Sequence, residues 1–222
     1  MGEWIKLTAA DGVEIAAWLA APTSAPRGAV VVIQEIFGVN HHIRSIADRL
    51  AGEGYLAIAP AMFDRVRRDV ELNYDQPGMA KGGELVGKVD REGALSDISA
   101  AVQRVAGAGK VGVVGFCWGG TMAWLAAVQT EGVAAAVGYY GGGIIGMKDL
   151  RPRVPTMLHF GEQDGHIPVA GVHEIGAAHP ETPVFLYPAG HGFNCDERAS
   201  YDAPSAALAW RRTLDAFAKH LR

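Results

Sequence analysis

The chain has 222 residues, of which 49% are hydrophobic and 20% are charged. This length fits one α/β domain, whose core is large enough to need no disulfide or metal to hold it. Twenty Lys and Arg residues against 24 Asp and Glu give a net charge of −4, which argues against nucleic acid or an anionic membrane surface as a partner.

Cysteine and histidine usage narrows the class of protein further. Two cysteines, Cys117 and Cys195, are too few for a secreted disulfide scaffold. The adjacent pair His41-His42 has no third ligand at matching spacing, so no metal is predicted. Neither a signal peptide nor an apolar run of the ~18 residues that span a membrane is evident. We therefore expect a cytoplasmic protein that keeps its thiols reduced, with a monomer as the default.

Apolar runs typical of strands alternate with helical patterns after an opening hairpin. The predicted strands are 3–8, 13–20, 29–33, 55–59, 110–114, 133–139, 156–160 and 183–187. The predicted helices are 43–51, 91–106, 119–129, 168–178 and 203–221. This order predicts a mostly parallel sheet with helices on both faces, an antiparallel region at one edge and no second domain. Residues 61–90 are the least regular part, and we predict a lid or pocket wall there.

Residues 115–120 read Gly-Phe-Cys-Trp-Gly-Gly between a predicted strand and a predicted helix. This is the form of a nucleophile elbow, with cysteine in the place that serine usually takes. The turn exposes the nucleophile, and the first N–H groups of the helix point at the same spot. A cysteine between glycines is by itself often a small buried residue. The motif therefore makes Cys117 a candidate nucleophile that needs partners.

Two candidate partners follow later strands. Asp164 comes after strand 156–160, and His191 comes after strand 183–187. Ligands bind at the carboxyl edge of such sheets, and the order nucleophile, acid, histidine is that of α/β-hydrolases. A loop Asp or a lone His is usually structural, but three residues in this order at successive strand ends predict a triad. His191 would take the thiol proton and Asp164 would orient the ring, while the backbone N–H groups of Ile36 and Trp118 would bind the oxyanion.

Four motifs, at 34–40, 115–120, 137–141 and 190–193, together resemble the dienelactone hydrolase family, the carboxymethylenebutenolidases. The resemblance implies one α/β-hydrolase domain over residues 1–222 that opens an enol-lactone through an acyl-thioester, during catechol degradation. This mechanism needs no cofactor. The resemblance also implies that Glu35 contacts the nucleophile. A carboxylate beside a thiol raises the thiol pKa, so the thiol would stay unreactive until substrate displaces that contact.

The chain departs from the family pattern in substrate binding. The family's substrate carries a carboxylate, and the pattern places one binding arginine in the lid and another four residues after the catalytic histidine. That second position is Cys195 here. The remaining candidates for substrate binding are Arg198, Lys81, Tyr74 and Tyr140. Two alternatives therefore stay open: a general carboxylesterase or thioesterase that prefers neutral esters, and a non-catalytic scaffold that binds a small ligand.

Overall fold

A computed structural model describes residues 2–222, and within that range eight strands form a single sheet. The strands are β1 (Glu3–Thr8), β2 (Glu14–Ala20), β3 (Ala29–Ile33), β4 (Leu56–Pro60), β5 (Val111–Phe116), β6 (Val133–Tyr139), β7 (Thr156–Gly161) and β8 (Val184–Tyr187). Their order is β1-β2-β4-β3-β5-β6-β7-β8. Strands β3 to β8 run parallel, whereas β1 and β2 pair in antiparallel fashion at one edge. The predicted, mostly parallel sheet is therefore confirmed.

Six α-helices connect and cover these strands within residues 2–222. They are α1 (His41–Gly52), α2 (Gln76–Val86), α3 (Arg91–Val105), α4 (Trp118–Gln129), α5 (Val169–Ala178) and α6 (Ala203–His220). Four of them begin at a side chain that accepts a backbone N–H of the first turn, which is the usual way to start a helix. These capping residues are Asn40, Asp75, Asp90 and Asp202. None of the described helices is both long and apolar enough to cross a membrane.

The core lies on both faces of the sheet. Strand β3 is fully buried, and its alternate residues point to opposite faces. Val30 packs in the cluster that includes α1 and α6, whereas Val31 packs in the cluster that includes α3. Burial on both faces is why β3 reads as a continuous apolar run in the sequence.

The segment 61–90 is more regular than predicted, because it contains α2. Asp75 caps this helix and Pro77 lies in its first turn, both typical of a helix start. Three of its eleven residues are glycine, which lowers helix propensity and concealed the helix in the sequence. Gly82 is needed for packing, because a β-carbon there would lie 2.1 Å from the carbonyl oxygen of Ile36. Helix α2 therefore packs directly on the loop after β3.

Most of the predicted elements begin or end one or two residues from their predicted bounds, and two of these shifts bear on the site or have a clear local cause. Strand β4 begins at Leu56 because the N–H of Tyr55 donates to the carbonyl of Leu50, so that Tyr55 belongs to the turn after α1. Helix α4 begins at Trp118, directly after the candidate nucleophile. This second shift brings the helix N-terminus one residue closer to the site.

Candidate active site

The register of the sheet brings the predicted site loops to one edge. Ile33 of β3 lies opposite Gly115 of β5, and Gly161 of β7 lies opposite Tyr187 of β8. Because these strands are parallel, the residues that follow them leave the sheet on the same side. Cys117, Asp164 and His191 meet there, as the residue order predicts.

The backbone of the elbow is strained at the candidate nucleophile. Cys117 has φ 55° and ψ −116°, a region that non-glycine residues rarely adopt. Its N–H donates to the carbonyl of Tyr139 at 2.9 Å. A β-carbon at Gly119 would lie 2.4 Å from the carbonyl oxygen of Gln34, and one at Gly115 would lie 1.9 Å from that of Gly119. The glycines are required because strand, turn and helix backbones touch here.

A continuous line of contacts joins the three side chains. His191 Nε2 lies 3.2 Å from Cys117 Sγ, and His191 Nδ1 lies 2.7 Å from Asp164 Oδ2. The other Asp164 oxygen accepts the backbone N–H groups of His166 and Ile167, at 2.8 and 3.2 Å. The Asp164 side chain is fully buried. This is the geometry of a nucleophile, a base and a group that orients the base.

The ionisation of the pair follows from these contacts. Burial opposes the charged imidazolium, but the hydrogen bonds and charges of Asp164 and Cys117 outweigh it and raise the pKa of His191 to about 9. Burial also opposes the Asp164 carboxylate, yet the hydrogen bond from His191 and two backbone N–H groups hold its pKa below the usual value. An imidazolium is thus stabilised 3.2 Å from the sulfur of Cys117.

Glu35 forms a second polar cluster beside Cys117, His191 and Asp164. It is fully buried, with Oε1 3.2 Å from the Arg198 guanidinium and Oε2 accepting the Tyr74 hydroxyl at 2.9 Å. The guanidinium also lies 5.7 Å from the ring centre of Phe37 and 5.6 Å from that of Tyr74. A cation and a hydroxyl therefore hold one buried carboxylate, and two aromatic rings flank the cation. We refer to Glu35, Tyr74 and Arg198 as the carboxylate cluster.

The carboxylate cluster differs from the arrangement that the resemblance implied. Both oxygens of Glu35 have partners, and Cys117 Sγ contacts His191 instead. Among residues 2–222, no hydrogen bond joins Glu35 to Cys117 in this structure. A buried carboxylate is better satisfied by a guanidinium and a phenol than by a neutral thiol, because charged hydrogen bonds are the stronger ones.

A cavity of about 430 Å³ opens at Cys117. Both predicted oxyanion residues, Ile36 and Trp118, line it, and so do Tyr140 and Arg198. The hydroxyl of the fully buried Tyr140 has no partner within the described part of the chain. The walls that the sequence analysis did not single out are Phe37, Met79, Thr121, Gly142, Gly143, His166 and Ile167. Phe37 could have been found from its place in the motif at 34–40. No motif in the sequence pointed to the other six residues.

Two predicted substrate-binding residues lie elsewhere. Lys81 is not part of the cavity wall; its Nζ pairs with Glu84 at 2.8 Å on the outer side of α2. Met79 of the same helix lines the cavity, and residues two apart on a helix point in different directions, so Lys81 faces away. Tyr74 is not a wall either, because its hydroxyl is directed at Glu35.

The structure also places two possible metal ligands beside His42 of the histidine pair. Glu35, His42 and Cys195 are all buried, with ligand atoms within 4.8 Å of one another, and His42 Nε2 has no partner among the described residues. Such a donor set suits zinc. The Arg198 guanidinium, 3.2 Å from Glu35, opposes a second cation there. In this structure the positive charge beside Glu35 is therefore the Arg198 guanidinium and not a metal ion.

Known proteins share this sequence and this fold. Residues 15–221 match the dienelactone hydrolase family. A Synechocystis protein named "Putative carboxymethylenebutenolidase" is 36% identical, covering 96% of this chain and 94% of the relative. The carboxymethylenebutenolidase of Pseudomonas putida is 34% identical, covering 96% of this chain and 94% of that relative.

A solved structure supports the same assignment. The crystal structure named "Putative Dienelactone Hydrolase" from Klebsiella pneumoniae has a TM-score of 0.87 and 32% identity, covering 99% of this chain and 100% of that chain. This likeness confirms the predicted α/β-hydrolase fold. With its family match, its relatives and its fold, the chain belongs to the dienelactone hydrolase family and is a hydrolase of ester or lactone bonds.

Proposed function

We propose that this protein opens an enol-lactone of the dienelactone type through an acyl-thioester on Cys117. The observation that carries the proposal is the line of contacts from Cys117 through His191 to Asp164, at 3.2 and 2.7 Å, on the wall of an open cavity. Family membership supports the lactone as substrate. The proposal assigns Cys117 as nucleophile, His191 as base and then acid, and Asp164 as the orienting residue.

The reaction has two stages. The thiol proton of Cys117 passes to His191 as the sulfur attacks the lactone carbonyl, and the N–H groups of Ile36 and Trp118 stabilise the oxyanion. The ring C–O bond then breaks, His191 protonates the departing enol oxygen, and the acyl group remains on sulfur as a thioester. In the second stage His191 takes a proton from water, which attacks the thioester. The C–S bond breaks, the thiol regains a proton, and the enol product tautomerises to a ketone.

Arg198 is our proposed partner for the substrate carboxylate. It lines the cavity, and its side chain is 15% exposed, so a bound anion can reach it. Glu35 would hold the guanidinium in place while the cavity is empty. Once a substrate carboxylate shares Arg198, Glu35 loses part of its cationic partner and becomes free to act on the Cys117 thiol. A rate of Cys117 acylation by dienelactone that is unchanged in Glu35→Ala would count against this role for Glu35.

A second candidate, the hydrolysis of small neutral esters or thioesters, is favoured by one observation. The Arg198 guanidinium is already paired with Glu35, and most of the remaining cavity wall is apolar, including Ile36, Phe37 and Ile167. A neutral substrate would bind there without breaking the ion pair.

The deciding experiment compares dienelactone with a neutral aryl ester, using wild type and Cys117→Ala. We expect dienelactone turnover in the wild type, a loss of at least about 10⁴-fold in Cys117→Ala, and an acyl adduct on Cys117 by mass spectrometry of the quenched enzyme. Ester cleavage without dienelactone cleavage would support the second candidate. Activity that survives in Cys117→Ala would refute the cysteine mechanism.

We also propose that the protein works as a monomer in the cytoplasm. The argument for the compartment is chemical: Cys117 and Cys195 are both free, and the proposed nucleophile acts only as a reduced thiol. Light scattering of the purified protein would test the oligomeric state.

A further inference from the structure

A groove that the proposed mechanism does not use adjoins the catalytic cavity. It has a volume of about 450 Å³ and shares Trp118, Thr121 and Gly143 with the cavity. Its other walls are mainly apolar and come from the end of α2, the turn before α3, helix α4 and the turn after β6: Val86, Val89, Met122, Leu125, Gly146 and Met147. Arg91 is the one charged residue among those that line it.

The position of the groove decides which part of a substrate can enter it. The leaving group must point toward His191, because His191 has to protonate the departing oxygen. The groove contains neither His191 nor the residues on that side of the cavity, His166 and Arg198. It continues instead from Trp118, whose N–H is a proposed oxyanion donor. The acyl part of an ester, on the other side of the reacting carbonyl, therefore points toward the groove.

We propose that this groove is an acyl-chain subsite, which extends the substrates of this enzyme to esters and thioesters with an unbranched apolar acyl chain of about six to eight carbons. The inference rests on the proposed cysteine hydrolase function. It goes beyond that function because a small enol-lactone fills only the catalytic cavity. The apolar walls favour binding of a hydrocarbon chain, because burial of apolar surface lowers the free energy of the complex.

The expected size of the effect follows from the hydrophobic contribution of a methylene. Complete burial of one methylene favours binding about fourfold. Gly143, Gly146 and Arg91 are exposed, so one side of the groove is open to solvent. We therefore expect about a twofold gain in kcat/KM per methylene, or roughly 60-fold for the six methylenes from acetate to octanoate.

Gly146 offers a way to fill the groove with little disturbance. It lines the groove within the short helical turn Gly142–Met147, and a β-carbon there would meet no atom within 4 Å. Gly107 is a matched control. It is also exposed, lies in a similar turn at Ala106–Ala108, and would likewise place a β-carbon in open space, but it is not part of the groove.

The test measures kcat/KM for 4-nitrophenyl acetate, butyrate, hexanoate and octanoate with wild type, Gly146→Trp and Gly107→Trp. Thermal unfolding of all three proteins checks that they fold. We expect the wild type and Gly107→Trp to show the roughly 60-fold rise with chain length. Gly146→Trp should keep acetate hydrolysis within twofold of wild type and reduce the rise to less than about fivefold.

Each other outcome has a distinct meaning. A flat or falling wild-type profile with measurable acetate hydrolysis would overturn the subsite and leave the proposed function intact. A Gly146→Trp profile that matches wild type, or that is lowered equally for acetate and octanoate, would also overturn it. No hydrolysis of any of these esters or of dienelactone by the folded wild type would overturn the proposed function, and the subsite with it.

Discussion

The proposed triad and the carboxylate cluster lie side by side, but the chain builds them in different ways. Cys117, Asp164 and His191 follow β5, β7 and β8 by one, three and four residues. In the carboxylate cluster only Glu35 closely follows a strand, β3. Tyr74 comes from the loop before α2, and Arg198 comes from the long loop between β8 and α6. Sheet register therefore places the triad, whereas the packing of two loops places the carboxylate cluster.

The two sites also differ in what they do for the protein. Cys117 and His191 line the open cavity, so a change in the triad is expected to act on the reaction rate. Glu35 and Tyr74 are shielded from that cavity, and Glu35 is a fully buried charge. A buried carboxylate that loses a partner destabilises the folded state. Changes in the carboxylate cluster are therefore expected to lower stability, in addition to any effect on substrate binding through Arg198, which also lines the cavity.

Apart from removal of the proposed nucleophile itself, the largest effect is expected for Asp164→Asn. An amide cannot stabilise the imidazolium as a carboxylate does, so kcat should fall by about 10³-fold or more. In the same variant the pKa of His191 should drop from about 9 toward its ordinary 6.5, because the largest favourable contact of the ring is lost. Steady-state kinetics and an NMR titration of the His191 ring measure the two changes. A wild-type ring that titrates near 6.5 would contradict the ion pair described above.

The same pKa makes a prediction about stability and pH. The folded-state pKa of His191 is raised, so its contribution to stability is complete below about 6.5 and is lost as pH rises through about 9. The wild-type free energy of unfolding should therefore decrease across this range by more than that of Asp164→Asn. Urea denaturation at several pH values checks the difference, and parallel curves would argue against it.

The next largest effect, a loss of folding stability, is expected for Arg198→Gln. This change leaves the fully buried Glu35 without its cation and should lower the free energy of unfolding by about 3 kcal/mol at pH 7. Arg44→Gln is the matched control, since Arg44 pairs with Glu71, whose side chain is 49% exposed. We expect a loss of about 1 kcal/mol there. Equal losses in both variants, measured by urea denaturation, would remove the distinction between a buried and an exposed ion pair.

The smallest effect is expected for Tyr74→Phe. Loss of the hydroxyl removes one hydrogen bond to Glu35 and should cost about 1.5 kcal/mol of stability. Tyr201→Phe is the control, because Tyr201 is 43% exposed and should change stability by no more than about 0.5 kcal/mol. If Tyr74→Phe leaves the melting temperature unchanged, the hydroxyl does not stabilise the carboxylate.

By itself the sequence determined the parallel sheet and which residues stand at its carboxyl edge. Apolar runs such as Ala29–Ile33 reveal buried strands, and parallel strands end on the same side, so Cys117, Asp164 and His191 could be grouped without coordinates. The glycines of the elbow also indicated a tight strand–turn–helix at Cys117, because backbone segments in contact leave no room for a β-carbon.

The tertiary structure alone decided the partners of Glu35 and the walls of the cavity. The glycines of α2 concealed a helix, so the sequence could not show that Met79 lines the cavity while Lys81 faces away. The pairing of Glu35 with Tyr74 and Arg198 joins residues 39 and 163 positions apart. Strand ends are aligned by backbone hydrogen bonds that follow from local pattern. Contacts between long loops depend instead on how side chains pack in three dimensions, which no local pattern encodes.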